Sequence, residues 1–395
     1  MNERPKVLIV DDEPFNVDYL EQELEDSGWD TLSAVNGVDA LEKVSSQSPD
    51  LVLLDIMMPV MDGFEVLRRL KAASETRGIP VIVISASNDL QSVVRGIQLG
   101  AEDYLPKPFE PSLLFARISS SLEKKRLRDM EQVYLKGLER ELDIAREIQL
   151  GFLPAELPQV DGWEFAAYFK AAREVAGDFY DAFELPDGNL AFCVGDVCGK
   201  GVGAALFMTL VRSLVRATAL SDITSGGMDM SQLAPSERLQ HVVSFVNRYI
   251  CQTHGDANMF ATLFIGIIDV REKKLIYANC GNEFGLLVRG GCLAVTLKPT
   301  GPVVGIIDDA QFAVRQVEMQ PGDLLLAYTD GVPDALNAAG ANFGRDQLAA
   351  GLSAIESSAD GAIENLKRDL YGFIGDAESF DDITVVAVKM KGRVV

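Results

Sequence analysis

The chain has 395 residues, 48% apolar and 24% charged, which is too long for one ordinary core and has the composition of a globular protein of more than one domain. Its net charge of −23 is distributed as −11 over residues 1–121, zero over 122–152 and −12 beyond, which argues against the basic face that nucleic-acid binding needs. No uninterrupted apolar run reaches the ~18 residues that span a bilayer, and carboxylates follow the first apolar run directly, so we expect no secretory signal, no membrane partner and a cytoplasmic location.

Over residues 1–121, apolar runs recur at 6–10, 31–35, 51–55, 81–85 and 103–107, with helical patterns between them. In "PFNVDYLEQELEDSG", for example, Val17, Leu20 and Leu24 recur at helical spacing, and Gly28, Gly78 and Gly100 stand where helices should stop. This alternation predicts a doubly wound α/β domain with a five-stranded parallel sheet, whose ligands bind beyond the C-terminal strand ends. Those ends carry Asp11, Asp12, Asp55, Ser85 and Lys107. Grouped carboxylates repel unless a hard cation such as Mg²⁺ lies among them. A hydroxyl and a lysine on the same edge suit a phosphoryl group, which an Asp can accept.

"VDDE", "LLDIMMPVMDG", "ISA" and "YLPKPF" stand in the order and spacing of the receiver domain of bacterial response regulators, which this segment closely resembles. The resemblance implies that Asp55 is the phosphoacceptor, loaded by a histidine kinase or another phosphodonor. It also implies that Asp11, Asp12 and Asp55, with the Met57 carbonyl, hold Mg²⁺. Ser85 and Lys107 would contact phosphoryl oxygens, Lys107-Pro108 would be cis, and Tyr104 would be the aromatic switch.

Residues 122–152 contain no helix breaker except Gly137 and, near the end, Gly151, and carry equal numbers of acidic and basic residues. Apolar or small residues at 127, 130, 134, 138, 142, 145 and 152, with the polar Gln149 in the same register, form a near-heptad seam. We expect a helical linker about 40 Å long. Either it packs on its own domain, or it continues out of the first domain and pairs with a second subunit in a homodimeric coiled coil.

Residues 153–395 read differently. Apolar runs at 163–169, 189–198, 259–270, 273–279, 283–289, 311–318, 322–328 and 383–390 are divided by turn signals such as "PDG" and "QPGD", with helical patterns at 201–220, 235–254, 343–356 and 360–374. This pattern predicts an α+β domain, an antiparallel β-sandwich flanked by helices, with a mobile loop at 221–235. "GDFYD", "GDVCGKG", "TDGVPDA" and "SFDDIT" each place Asp at the edge of an apolar run. Carboxylates gathered without His or Cys select Mg²⁺ or Mn²⁺. Two such ions sharing a bridging Asp acidify a water for in-line attack on phosphorus.

This ordered set, from "AREIQLGFLP" to "DDITVVAV", resembles the SpoIIE-like branch of the PPM metal-dependent serine/threonine phosphatases. The resemblance implies that two Mn²⁺ or Mg²⁺ ions are bridged by Asp196, with the Val197 carbonyl, Asp178, Asp330 and Asp381 completing the set. Asp382 and Asp181 are secondary candidates, and Lys200 helps to shape the turn. The implied substrate is a phosphoserine or phosphothreonine protein, of the anti-sigma factor antagonist type. Departures from the family pattern are Ala176 where a second Gly is common, Pro333-Asp334 where Thr-Glu is usual, and Cys198 where Ser is frequent. The competing reading is a phosphorylation-regulated adaptor that binds a sigma factor or signalling partner without catalysis.

"GDVCGKG" is a poor phosphate loop, because residues 196–198 are one too few and Gly201 follows Lys200 where Ser or Thr is needed. A nucleophilic Cys198 needs a base, and neither His241 nor His254 falls in a recognised motif. The five cysteines (193, 198, 251, 280 and 292) lack CxxC spacing and read as reduced thiols.

Overall fold

The computed structural model describes residues 4–86, 90–108, 110–221, 230, 233–352, 358–377 and 381–392. The chain divides into two compact units, Met1–Glu139 and Arg140–Val395.

In the first unit, strands β1 (Lys6–Val10), β2 (Asp30–Ala34), β3 (Leu51–Asp55), β4 (Val81–Ala86) and β5 (Asp103–Lys107) alternate with helices α1 (Pro14–Asp26), α2 (Gly37–Gln47), α3 (Gly63–Ala72) and α4 (Leu90–Gln98). The strands form a parallel sheet in the order β2-β1-β3-β4-β5. β3 is buried at every position because helices cover both faces, and this explains its unbroken "LVLLD". Two apolar clusters fill the opposite faces: Val7, Ile9, Leu51 and Leu53 on one, Leu8, Val10, Val52 and Leu54 on the other.

Helix α5 runs without a break from Pro111 to Phe152, about 63 Å at 1.5 Å per residue, and continues through Gly137. Its seam residues Leu127, Met130, Tyr134 and Leu138 are exposed.

The second unit comprises β6 (Trp163–Lys170), β7 (Phe179–Glu184), β8 (Leu190–Val197), α6 (Val202–Leu220), α7 (Pro235–His254), β9 (Ala261–Asp269), β10 (Lys274–Cys280), β11 (Gly285–Arg289), β12 (Cys292–Leu297), β13 (Arg315–Glu318), β14 (Leu324–Tyr328), α8 (Arg345–Leu352), α9 (Ala359–Ile374) and β15 (Ile383–Met390). Two antiparallel sheets result, β13-β10-β9-β8-β7 and β12-β11-β14-β15-β6. Three apolar clusters define the layers. One joins the first sheet to α6 and α7, one joins the second sheet to α8 and α9, and the third lies between the sheets.

Strands β7 and β12 escape the sequence reading. Both are sheet edges; in β7 the buried Asp181 interrupts the apolar signal, and β12 has the burial run exposed, exposed, exposed, half, half, buried. Within 221–235, residues 222–229, 231 and 232 lie outside the described residues, as do 353–356 of the expected helix 343–356. Helix α6 is long and apolar enough by composition to cross a membrane. Here Ala204, Met208, Val211 and Val215 are buried in the core, while Arg212 and Arg216 pair with the buried Asp181.

Candidate functional sites

Receiver acids gather at the C-terminal end of the parallel sheet. Among the described residues, Asp11, Asp12 and Asp55 form the one group of three metal-ligating side chains whose oxygens all lie within 4.8 Å of one another. Asp11 is buried, its Oδ1 accepting the Glu13 N–H at 2.9 Å and its Oδ1 and Oδ2 accepting the Asn16 amide at 3.2 and 3.1 Å. Lys107 Nζ lies 2.8 Å from both Asp11 Oδ2 and Asp55 Oδ1. Burial raises the Asp55 carboxyl above its usual range, Lys107 opposes the rise, and the charge of Asp11 adds to it.

The β4–β5 register sets Ser85 opposite Pro106, beside Lys107, so the hydroxyl and the ammonium leave adjacent strand ends. Ser85 is buried and Tyr104 half-buried, and the Lys107-Pro108 peptide is cis. The Met57 side chain points to solvent, which leaves its backbone as the part available to a ligand.

In the second unit, the ends of four strands meet at one rim of the sandwich. Asp178 precedes β7, Asp196 is the penultimate residue of β8, Asp330 follows β14 and Asp381-Asp382 precede β15. Strand alternation decides their direction. Phe192 and Val194 face the inter-sheet layer, so Asp196 shares that face. Asp178 lies an even number of residues from the inter-sheet residue Ala182 and takes the same face.

Asp181 is an odd number of residues from Asp178 and turns the other way, toward α6. There it is fully buried, with Arg212 Nε 2.9 Å from Oδ2 and Arg216 Nη1 2.7 Å from Oδ1. The secondary candidate Asp181 therefore does not join the rim acids; it is an ion-pair centre between strand and helix.

At the rim, burial and like charge dominate. Burial, then the charges of Asp330 and Asp381, push the Asp196 carboxyl up to about 7. Burial and the neighbouring Asp196 also raise Asp178 well above the usual range, although Thr329 Oγ1 donates to Asp178 Oδ2 at 2.6 Å. Asp330 is raised by burial, then by Asp381, Asp334 and Glu283. Lys200 Nζ lies 3.1 Å from Asp381 Oδ1.

Asp382 has a different task from Asp381. Its two oxygens accept the Ala172 and Gly177 N–H groups, each at 2.8 Å, and so hold the segment that leads into Asp178. Gly177 packs against the end of β8 so closely that a Cβ would meet the Val197 carbonyl oxygen at 2.9 Å and Asp196 Oδ1 at 3.3 Å. A Cβ at Gly331 would likewise clash with the Asp382 carbonyl. These two glycines let the acid turns approach one another.

Cys198 anchors its turn: its N–H donates to the Phe260 carbonyl at 2.9 Å, and its Sγ accepts the Phe260 N–H at 3.2 Å.

The oxygen-only donor sets of both sites fit hard divalent cations. In the second unit, carboxylates that raise one another by charge are a place where added positive charge is strongly favoured. The residues that would hold such ions are Asp11, Asp12 and Asp55 with the Met57 carbonyl in one site. In the other they are Asp178, Asp196, Asp330 and Asp381 with the Val197 carbonyl.

Several participants have no sequence motif of their own. Gln149, near the end of α5, is buried; its Nε2 donates to the Ala176 carbonyl at 2.7 Å and its Oε1 accepts the Ala176 N–H at 3.0 Å. Thr329, Asn279 and Asn282 are also buried beside the rim. For Gln149, the available signal was its place in the helical seam together with a polar side chain.

Fold and sites together define a chain that joins a phosphoacceptor receiver domain to a PPM-type domain. Residues 186–391, about half of the chain, match the stage II sporulation protein E (SpoIIE) family, to which the chain belongs, and residues 7–119 match the response regulator receiver domain.

It is 40% identical over 260 residues to protein IcfG of Synechocystis sp., covering 63% of this chain and 41% of that protein. It is 38% identical over 122 residues to the alkaline phosphatase synthesis transcriptional regulatory protein PhoP of Bacillus subtilis, covering 31% of this chain and 50% of PhoP. The chain thus spans half or less of these two relatives. The SiaA-PP2C domain of Pseudomonas aeruginosa shares the fold of the second unit at 23% identity and a TM-score of 0.52, over 65% of this chain and 98% of that one.

Proposed function

We propose that this chain is a cytoplasmic, phosphorylation-controlled protein phosphatase. The observation that carries the reading is the convergence of Asp178, Asp196, Asp330 and Asp381 on one rim, where burial and mutual repulsion raise the carboxyls of the first three. A binding module has no need of such mutually repelling acids, which are costly to bury. The substrate class is a phosphoserine or phosphothreonine protein of the anti-sigma factor antagonist type.

In the receiver, a histidine kinase or another phosphodonor transfers its phosphoryl group to an Asp55 oxygen. Lys107, already bonded to Asp55 and Asp11, offers its ammonium to the incoming oxygens. At the rim, two bound Mn²⁺ or Mg²⁺ ions would supply Lewis-acid charge and an acidified water. The chain's own residues hold the carboxylates in place: Thr329 orients Asp178, and Asp382 ties down the 172–177 segment. Lys200 adds positive charge at Asp381.

Helix α5 couples the two units through Gln149, whose paired hydrogen bonds grip Ala176 two residues before Asp178. Coupling of this kind typically amounts to ~1–3 kcal/mol. The exposed seam Leu127, Met130, Tyr134 and Leu138 pairs with a second copy of the chain in a parallel homodimer. Sedimentation of the full chain as a monomer at every concentration and phosphorylation state would refute that pairing.

The central test is Mn²⁺-dependent hydrolysis of para-nitrophenyl phosphate by the wild type against Asp196→Asn. We expect hydrolysis by the wild type and none above background by the variant. Equal, negligible rates under every metal condition would instead favour the non-catalytic adaptor.

A further inference from the structure

The two sheets carry different members of the rim set. Asp196 belongs to the sheet of β8 and β9, whereas Asp330 follows β14 of the other. Their separation therefore depends on whatever fixes one sheet relative to the other at this rim. The chain itself crosses between sheets here, from β10, which ends at Cys280, to β11, which begins at Gly285.

Asn282 lies in that crossing and is 5% exposed. Its side chain reaches both sheets. Thr262 Oγ1 donates to Asn282 Oδ1 at 3.1 Å, and Thr262 is the direct cross-strand neighbour of Asp196. On the other side, Asn282 Nδ2 donates to the Tyr328 carbonyl at 2.9 Å, immediately before Thr329, which bonds Asp178, and Asp330. The Asn282 backbone is held in turn, its N–H donating to Oδ1 of the fully buried Asn279 at 2.9 Å. Asn279 Nδ2 donates to the Glu283 carbonyl at 2.9 Å, which closes the turn.

We propose that Asn282 is a positioning residue that sets the spacing between Asp196 and Asp330, with Thr262 as its link to the first and the Tyr328 carbonyl as its link to the second. An amide suits this place because one side chain supplies an acceptor to one sheet and a donor to the other. A carboxylate would lose the donor and add a further negative charge beside the acids. The inference rests on the phosphatase reading for its purpose, but its measurable consequence is the affinity of the rim for a divalent cation.

The test is calorimetric titration of the full chain with Mn²⁺ at a temperature where each variant is folded, alongside thermal unfolding in EDTA. Asn282→Ala is expected to weaken Mn²⁺ binding at the rim by about 10- to 100-fold, the usual range for groups that orient metal ligands. Thr262→Val, which removes one link and little volume, should shift the same constant in the same direction by less. Receiver binding is separated in an Asp55→Asn background.

Asn189 serves as control. Its Oδ1 accepts the Val270 N–H at 3.2 Å at the opposite end of the sandwich. Asn189→Ala should lower the melting temperature and leave the Mn²⁺ constant unchanged. A merely structural Asn282 would behave like Asn189, so Mn²⁺ constants within twofold of wild type for both folded variants would overturn the proposal. A wild type that binds Mn²⁺ tightly yet hydrolyses no phosphoester would overturn the phosphatase reading alone.

Discussion

The chain contains two clusters of aspartates that solve the same electrostatic problem in opposite ways. In the receiver, Lys107 bridges Asp11 and Asp55 and brings a positive charge into the group. In the second unit, Lys200 pairs with Asp381, and Asp196 faces the charges of Asp330 and Asp381. A nucleophilic carboxylate needs to be accessible and ionised, so an internal cation beside it serves the chemistry. At the rim, the repulsion that remains among Asp178, Asp196 and Asp330 favours an incoming cation.

The sharpest way to break this contrast is at Asp55. Asp55→Asn should abolish labelling by acetyl phosphate completely while leaving the Mn²⁺-dependent hydrolysis of a small phosphoester in place. Labelling that persists in the variant would overturn the receiver assignment.

A second test asks whether the two sites are coupled. Gln149→Ala strands the Ala176 N–H and carbonyl without their buried partners, at a cost of ~1–3 kcal/mol. Thermal unfolding should register that loss. The ratio of phosphatase rates with and without acetyl phosphate should fall toward one, and an unchanged ratio would remove α5 as the coupling element.

The smallest effect concerns pH. The folded Asp196 carboxyl lies at about 7, above its ordinary value of 3.8. Across that window the folded state holds more protons than the unfolded one, so stability falls as pH rises and stays reduced above it. After removal of divalent ions, Asp196→Asn should therefore melt above the wild type near pH ~8, by roughly 2–4 °C if the relief is ~1 kcal/mol. The gap should narrow toward pH ~5. A gap that is independent of pH would show that mutual repulsion at the rim is not what the substitution relieves.

Much of both architectures was legible in the chain because its signals are local. The receiver strands were marked by apolar runs, and their ends by Asp11, Asp55 and Lys107. The sandwich was announced by its central strands, whereas at the edges β12 had too little burial to leave a pattern and β7 has the charged Asp181 in its middle.

By itself, the sequence determined the acidic, oxygen-only character of both clusters and the turns that present them, since Asp beside Gly at the end of an apolar run is a property of neighbouring residues. Tertiary structure decided which acids share a face. Asp178 and Asp181 stand in one short motif, yet strand alternation sends the first to the rim and the second to Arg212 and Arg216. Folding also separated the roles of the adjacent Asp381 and Asp382, one beside Lys200 and the other bonded to Ala172 and Gly177. Gln149 and Asn282 became visible only once their partners were in place. A hydrogen bond between segments far apart in the chain leaves no periodicity and no composition to read, because the partner that gives the residue its meaning is chosen by packing.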